Sequence, residues 1–144
     1  MANVIPDSFK TDLLKGTFNF DSSGGSTFKL ALYTDISGLT TSTTAFTTTN
    51  EVSTSGTNYT SGGNTLTNNG VAVSSNIAFV DFADLTFSSV TLSAVGALIY
   101  KSGGSNEAVL VLDFGGTKTA PNGDFVVQFP TASSSAAIIR LGNA

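Results

Sequence analysis

From Thr17 onward the apolar residues recur at every second position in short runs, and each run is closed by Gly, Asn, Ser or Asp. That period builds one apolar face on a strand and would scatter the same residues around a helix. In TFKLALYT (27 to 34), Phe28, Leu30 and Leu32 point one way while Lys29 and Tyr33 point the other. The other runs are TFNF (17 to 20), NTLTNN (64 to 69), VAVSS (71 to 75), NIAFVDF (76 to 82), LTFSSVTLS (85 to 93), AVGALIYK (94 to 101), EAVLVLDF (107 to 114), DFVVQFP (124 to 130) and AAIIRLG (136 to 142). Asn69-Gly70 and Asn122-Gly123 suit the positive φ angles of tight hairpins, and SGGSN (102 to 106) reads as a further loop. So many short strands at this spacing predict an all-β fold, an antiparallel β-sandwich or a jelly-roll-like barrel.

The alternation also nominates a core: Phe18, Phe20, Phe28, Leu30, Leu32, Ile77, Phe79, Leu85, Phe87, Ile99, Val109, Val111, Phe125, Val127, Phe129 and Ile138. With 11 Phe and no Trp, the interior is expected to be dry, of Phe and aliphatics. AVLVLDF (108 to 114) is apolar on both faces, which predicts a central strand or one covered by another subunit. Only DSFKTDLLK (7 to 15) reads as a helix, capped by Asp7 or Ser8 and stopped by Gly16, with Phe9, Leu13 and Leu14 on one face. It suggests a plug, or an arm docking on a neighbour. Residues 35 to 64 are rich in Thr, Ser and Gly but keep recurring apolar residues, which predicts an ordered long loop with short β pieces, serving as a lid or contact loop.

A chain of 144 residues fits a single β domain, residues 1–144, large enough to fold without staples. It has no Cys, His or Trp, which removes the commonest nucleophile and general-base pairs together with thiolate and imidazole metal sites. No cofactor, metal site or catalytic residue is expected. The 6 basic residues are scattered against 10 acidic ones for a net charge of −4, so no cationic patch is available for nucleic acid. No apolar run reaches the ~18 residues of a membrane span, and Met1 to Lys10 lacks signal-peptide character, so neither a membrane nor an export pathway is expected and synthesis is cytoplasmic. Charged residues make up 11%, against roughly 25% in an average soluble domain. Hydroxyls and amides supply the polarity instead, and such a surface is readily desolvated against a neighbour.

Several patterns touch on chemistry without completing it. Asp81 and Asp84 end a strand three apart, but lack the spacing of a calcium loop and read as turn formers. Asp113 precedes a Gly pair with neither a Walker lysine nor a following helix, which reads as a bend. Asn58-Tyr59-Thr60 fits a glycosylation acceptor, a chance match without a secretory signal. Ser26-Thr-Phe-Lys29 has the S-x-x-K form of a Ser-Lys hydrolase, yet sits on a strand where that chemistry needs a helix start. Tyr33, Phe46, Tyr59 and Tyr100 look exposed; they suit either sugar platforms or interface anchors, and the anchor reading is preferred because Tyr is enriched at contact rims.

The runs F-K-L-A-L-Y-T (28 to 34), N-E-V (50 to 52), Y-T-S-G-G-N-T-L (59 to 66), A-L-I-Y (97 to 100) and L-D-F-G-G (112 to 116) give the chain its family likeness. Over nearly its full length it resembles small virion proteins of tailed bacteriophages, and among these it is similar to capsid decoration, or cement, proteins. That resemblance implies a β-rich domain on the outer capsid surface, often a homotrimer, whose partners are the major capsid protein and copies of itself. The expected interface residues are Phe9, Leu13, Leu14, Tyr33, Phe46, Tyr59 and Tyr100. The alternatives are a tail-tube, adaptor or fibre module, or a carbohydrate-binding module on the virion surface using Tyr33, Tyr59 or Tyr100.

Overall fold

The period-two runs resolve into two antiparallel sheets in the computed structural model, which describes residues 3–143. The elements in chain order are α1 (Asp7–Leu14), β1 (Phe28–Tyr33), β2 (Asn64–Thr65), β3 (Asn68–Ser74), β4 (Ile77–Phe82), β5 (Leu85–Lys101), β6 (Ala108–Val127) and β7 (Ile139–Leu141). The larger sheet has the order β2-β1-β5-β6 and the smaller the order β3-β4-β7. The sandwich expectation therefore holds. The barrel alternative does not, because both sheets end in open edges and never close on themselves.

The long strands correct the sequence reading. The runs 85 to 93 and 94 to 101 are one strand, β5, and the runs 107 to 114 and 124 to 130 belong to one strand, β6. Irregularities inside the β5-β6 ladder supply the punctuation that reads as turns. Ala94 pairs with Lys118 and Gly96 with Asp113, so residues 114–117 bulge out opposite Val95. Gly115 and Gly116 take positive φ there, which is the bend expected after Asp113. Asn122-Gly123 lies at a second shift within β6, and Asn69-Gly70 at a shift inside β3, so neither is a hairpin tip. The tip between β3 and β4 is Ser75-Asn76, at φ 51° and 64°, the paired positive values of a type I′ turn. The loop at 102 to 106 lies between β5 and β6 as expected, with Gly103, Gly104 and Asn106 at positive φ.

The core predicted from alternation is buried except at Ile77, Leu85, Phe129 and Ile138, which are half-buried. TFNF forms no strand, but Phe18 and Phe20 still turn inward on either side of exposed Asn19. Phenylalanines run through the interior as a chain of ring contacts: Phe9 to Phe18 at 4.9 Å, Phe20 to Phe28 at 4.6 Å, Phe28 to Phe82 at 5.7 Å and Phe82 to Phe129 at 5.9 Å. Each such pair adds ~0.5–1.5 kcal/mol beyond its burial. The main cluster draws on α1 (Phe9), the larger sheet (Leu30, Leu32, Ile99, Val109) and the smaller sheet (Val80, Phe82, Ile139). A second cluster covers the opposite face of the larger sheet, where Ile36 and Leu39 lie on Ala31, Tyr33, Leu98 and Val111. The two-faced apolarity of AVLVLDF is thus satisfied within the chain: residues 36 to 46 overlie it, and Val4 and Ala45 form bridges to Val111 and Glu107 along its edge.

Helix α1 folds onto this core through Phe9, which is 3% exposed, a burial worth ~1.5–3 kcal/mol. It is capped by Pro6 and not by a side chain of Asp7 or Ser8; the Ser8 hydroxyl instead donates to the Thr43 carbonyl. Its end follows the sequence expectation. Gly16, at φ 79°, donates to Leu13 O while Thr17 N donates to Asp12 O, the two bonds of a Schellman cap.

Candidate functional site

Three of the residues expected at an interface, Tyr33, Tyr59 and Tyr100, point inward at 0%, 3% and 4% exposure. They converge on Glu51. The Tyr59 hydroxyl donates to Glu51 Oε1 at 2.8 Å and accepts from Leu32 N at 2.9 Å. Ser61 Oγ donates to Glu51 Oε2 at 2.8 Å, and Gly62 N to Glu51 Oε1 at 2.6 Å. Tyr100 donates to the Gly62 carbonyl at 2.7 Å and Tyr33 to the Thr47 carbonyl at 2.6 Å. Burial, reinforced by the charge of Glu51, raises all three phenols above their ordinary value. Phe46 is half-buried and stacks on Tyr100 at 4.7 Å.

This is a correction to the reading of these tyrosines as exposed. Their rings are buried, the hydroxyls of Tyr33 and Tyr100 bind the main chain of residues 35–64 and that of Tyr59 ties Glu51 to β1, so the rings are closed to a sugar face. The loop is ordered as expected, with bridges at Tyr33–Glu51 and Ala45–Glu107 and with Ile36, Leu39, Val52 and Tyr59 buried. Gly63 explains the Gly pair of Y-T-S-G-G-N-T-L. It sits at φ 74°, where an added Cβ would lie 1.8 Å from the Leu30 carbonyl oxygen, so only glycine lets the loop lie on β1.

The remaining sequence candidates have structural partners. Asp81 accepts from Asn69 Nδ2 and Asp84 from Phe129 N. Asp113 accepts from Gly115 N. The Ser26 hydroxyl accepts from Asn19 N, and Asn58 Nδ2 donates to the Ser89 carbonyl. Among the described residues, no three His, Cys, Asp or Glu side chains gather as a metal site. A cleft of about 430 Å³ between residues 52–57 and the β5-β6 ribbon is lined by Thr, Ser and apolar groups with no charge.

What stands out is an exposed apolar strip that the alternation did not nominate. Val71 (56%), Val73 (72%) and Leu141 (62%) lie on the smaller sheet, and Leu14 (85%) on α1. Cross-strand register places Val71, Val73, Ala78, Val80, Ile139 and Leu141 on one face of that sheet. Val80 and Ile139 reach the core, and beyond them the face overhangs it. A groove of about 150 Å³, almost wholly apolar, runs there between the sheet, Leu13 and Phe20. Of the expected helix contacts, Phe9 is therefore internal, Leu13 is half-buried at the groove and Leu14 is free. Five residues along a helix turn the side chain by about 140° from Phe9, which is why Leu14 leaves the buried face. The signal for the strip was present in N-N-G-V-A-V-S-S-N (68 to 76), a strand with valines on one face and no charge anywhere.

No protein-family model matches the chain, and neither curated proteins nor solved structures gave a match.

Proposed function

We propose that the chain is a non-enzymatic structural protein of a tailed-phage virion, a decoration protein on the outer capsid surface that holds major capsid protein subunits together through repeated contacts. The observation that carries this reading is the strip of Val71, Val73, Leu141 and Leu14, exposed on an otherwise hydroxyl-rich, weakly charged surface. Exposed apolar groups gathered on one face mark a contact surface. The resemblance of F-K-L-A-L-Y-T and the later segments to small virion proteins supports the same assignment, and brings with it the homotrimer. A standard interface buries roughly 1,600 Å² in total, and weak contacts repeated over a shell gain avidity that one copy lacks.

The anchors on this reading are Leu14, Leu141, Val71 and Val73, with the outer rim of residues 35–64 beside them. Purified protein mixed with empty, expanded shells and pelleted should co-sediment at saturating stoichiometry, and Leu14→Asp with Leu141→Asp should reduce the bound fraction by ~10-fold or more. Shells that pellet without it would overturn the decoration role. The uncharged edge of β3 favours a second reading, a tail or fibre module stacked sheet to sheet, for which the purified protein should assemble into tubes or rods.

A further inference from the structure

β3 is an edge strand: β4 lies on one side of it, and no strand among the described residues lies on the other. Natural edges are blunted by charge, proline or brevity. The opposite edge of the same sheet is blunted, since β7 is short and has Arg140 at its centre. From Asn68 to Asn76 the β3 edge carries neither a charge nor a proline.

The turn at Ser75-Asn76 settles which main-chain groups face outward. A two-residue hairpin hydrogen-bonds its flanking pair, here Ser74 and Ile77, and the pairs alternate from there. Val73↔Ala78 and Val71↔Val80 are then the non-bonded pairs, so the N–H and C=O of Val71 and Val73 project away from β4. Toward its start the strand is covered, with Asn68 Nδ2 bonded to Phe20 O and Ser22 against Gly70. The open stretch is therefore Val71 to Ser75.

We propose that this stretch pairs with its counterpart in a second copy of the chain, antiparallel about a two-fold axis at Ala72, joining two three-stranded sheets into one of six. The pattern is self-complementary. With Ala72 facing Ala72, Val71 of each copy meets Val73 of the other, and the outward main-chain groups of both form about four hydrogen bonds. All four valine side chains fall on one face and extend the apolar strip across the axis. The small side chain of Ala72 suits the close non-bonded pair at the centre, and the net charge of −4 on each chain has no member on this edge. A second copy is preferred over a foreign strand because every copy brings the same register, the same free groups and the same lack of charge. So short an edge buries less than the ~1,200 Å² of a stable complex, so the pair forms reversibly and gains strength only when repeated. The inference concerns the isolated chain and does not rest on the virion assignment. If the chain is also trimeric, this contact joins trimers in pairs.

The chain has no cysteine, so single cysteines report the register directly. Ala72→Cys brings two sulfurs together across a non-bonded pair with Cα atoms ~4.5 Å apart, within disulfide range. Val71→Cys leaves its two copies on a diagonal of ~7–8 Å, outside it. Under mild oxidation Ala72→Cys should cross-link at least ~10-fold faster than Val71→Cys and than Ser105→Cys, a collision control on the exposed β5-β6 loop. In sedimentation the unmodified chain should show a reversible two-fold association that Val73→Lys weakens ~10-fold with no change in melting temperature. Equal cross-linking of all three variants, faster linking of Val71→Cys, or no association up to ~1 mM would each overturn the proposal.

Discussion

Tyr59 looks like a binding residue and behaves as a fastener. Its hydroxyl is the partner of a buried main-chain donor, Leu32 N, and of a carboxylate, Glu51. Tyr59→Phe leaves Leu32 N–H without an acceptor in the interior, which should cost ~1–3 kcal/mol in urea unfolding. Tyr33→Phe frees only a loop carbonyl, that of Thr47, and should cost about 1 kcal/mol. The raised phenol pKa values fix a pH dependence. In the folded chain the three tyrosines keep protons that the unfolded chain sheds above the ordinary value of 10.0, so their contribution is complete below pH 10.0 and falls as pH rises beyond it. Urea midpoints should therefore drop between pH 9 and pH 11, and the drop should shrink in Tyr59→Phe. Gly63→Ala sets a Cβ against the Leu30 carbonyl at positive φ and should cost more than ~2 kcal/mol, seen as a fall in melting temperature of ~4 °C or more. The sequence placed these tyrosines at a rim because their rings are amphipathic. Their actual partners lie far along the chain, with Leu32 and Tyr59 separated by 27 positions, and nothing local announces such a pairing.

At the scale of elements, the β3-β4 hairpin turns on Ser75-Asn76, both residues at positive φ without the glycine that usually relieves it. Ser75→Asn with Asn76→Gly should stabilise the fold by ~0.5–1 kcal/mol, measured as an upward shift in the urea midpoint with unchanged slope. Asn-Gly at 69–70 and 122–123 looked like the hairpin signal, yet both dipeptides serve shifts of register within strands. The two uses share one requirement, positive φ, so residue type alone cannot separate a turn from a bulge. The same limit explains β5 and β6. Their alternation was legible, and so were most of their buried residues, because burial follows the pleat. Their continuity was not, because Gly115-Gly116 and Asn122-Gly123 mark where a long strand bends, and only the pairing with β5 shows that the chain does not turn back. The end of α1 at Gly16 was readable for the opposite reason: a Schellman cap is made entirely from neighbours in sequence.

The molecule as a whole combines two properties that bear on association. It has 6 basic and 10 acidic residues in 144, and four of its exposed large apolar residues, Leu14, Val71, Val73 and Leu141, lie around the smaller sheet and α1, with Val126 apart on β6. The low charge of the chain was legible in its composition. The location of the strip was not, because it depends on how far β3 and β7 overhang the core, a matter of sheet packing. An interface built on Val71, Val73, Leu14 and Leu141 has no ion pair to screen. Among the described residues, the only ion pair at α1, Lys10–Asp7, is exposed and contributes little. Salt should then act mainly on the repulsion between chains of net charge −4, which it shortens to within a few ångströms near 1 M. Self-association followed by sedimentation at about 0.05 M and about 1 M NaCl should stay within ~3-fold or tighten at the higher salt. A ~10-fold weakening would mean that charged side chains, and not the valine edge, hold the copies together.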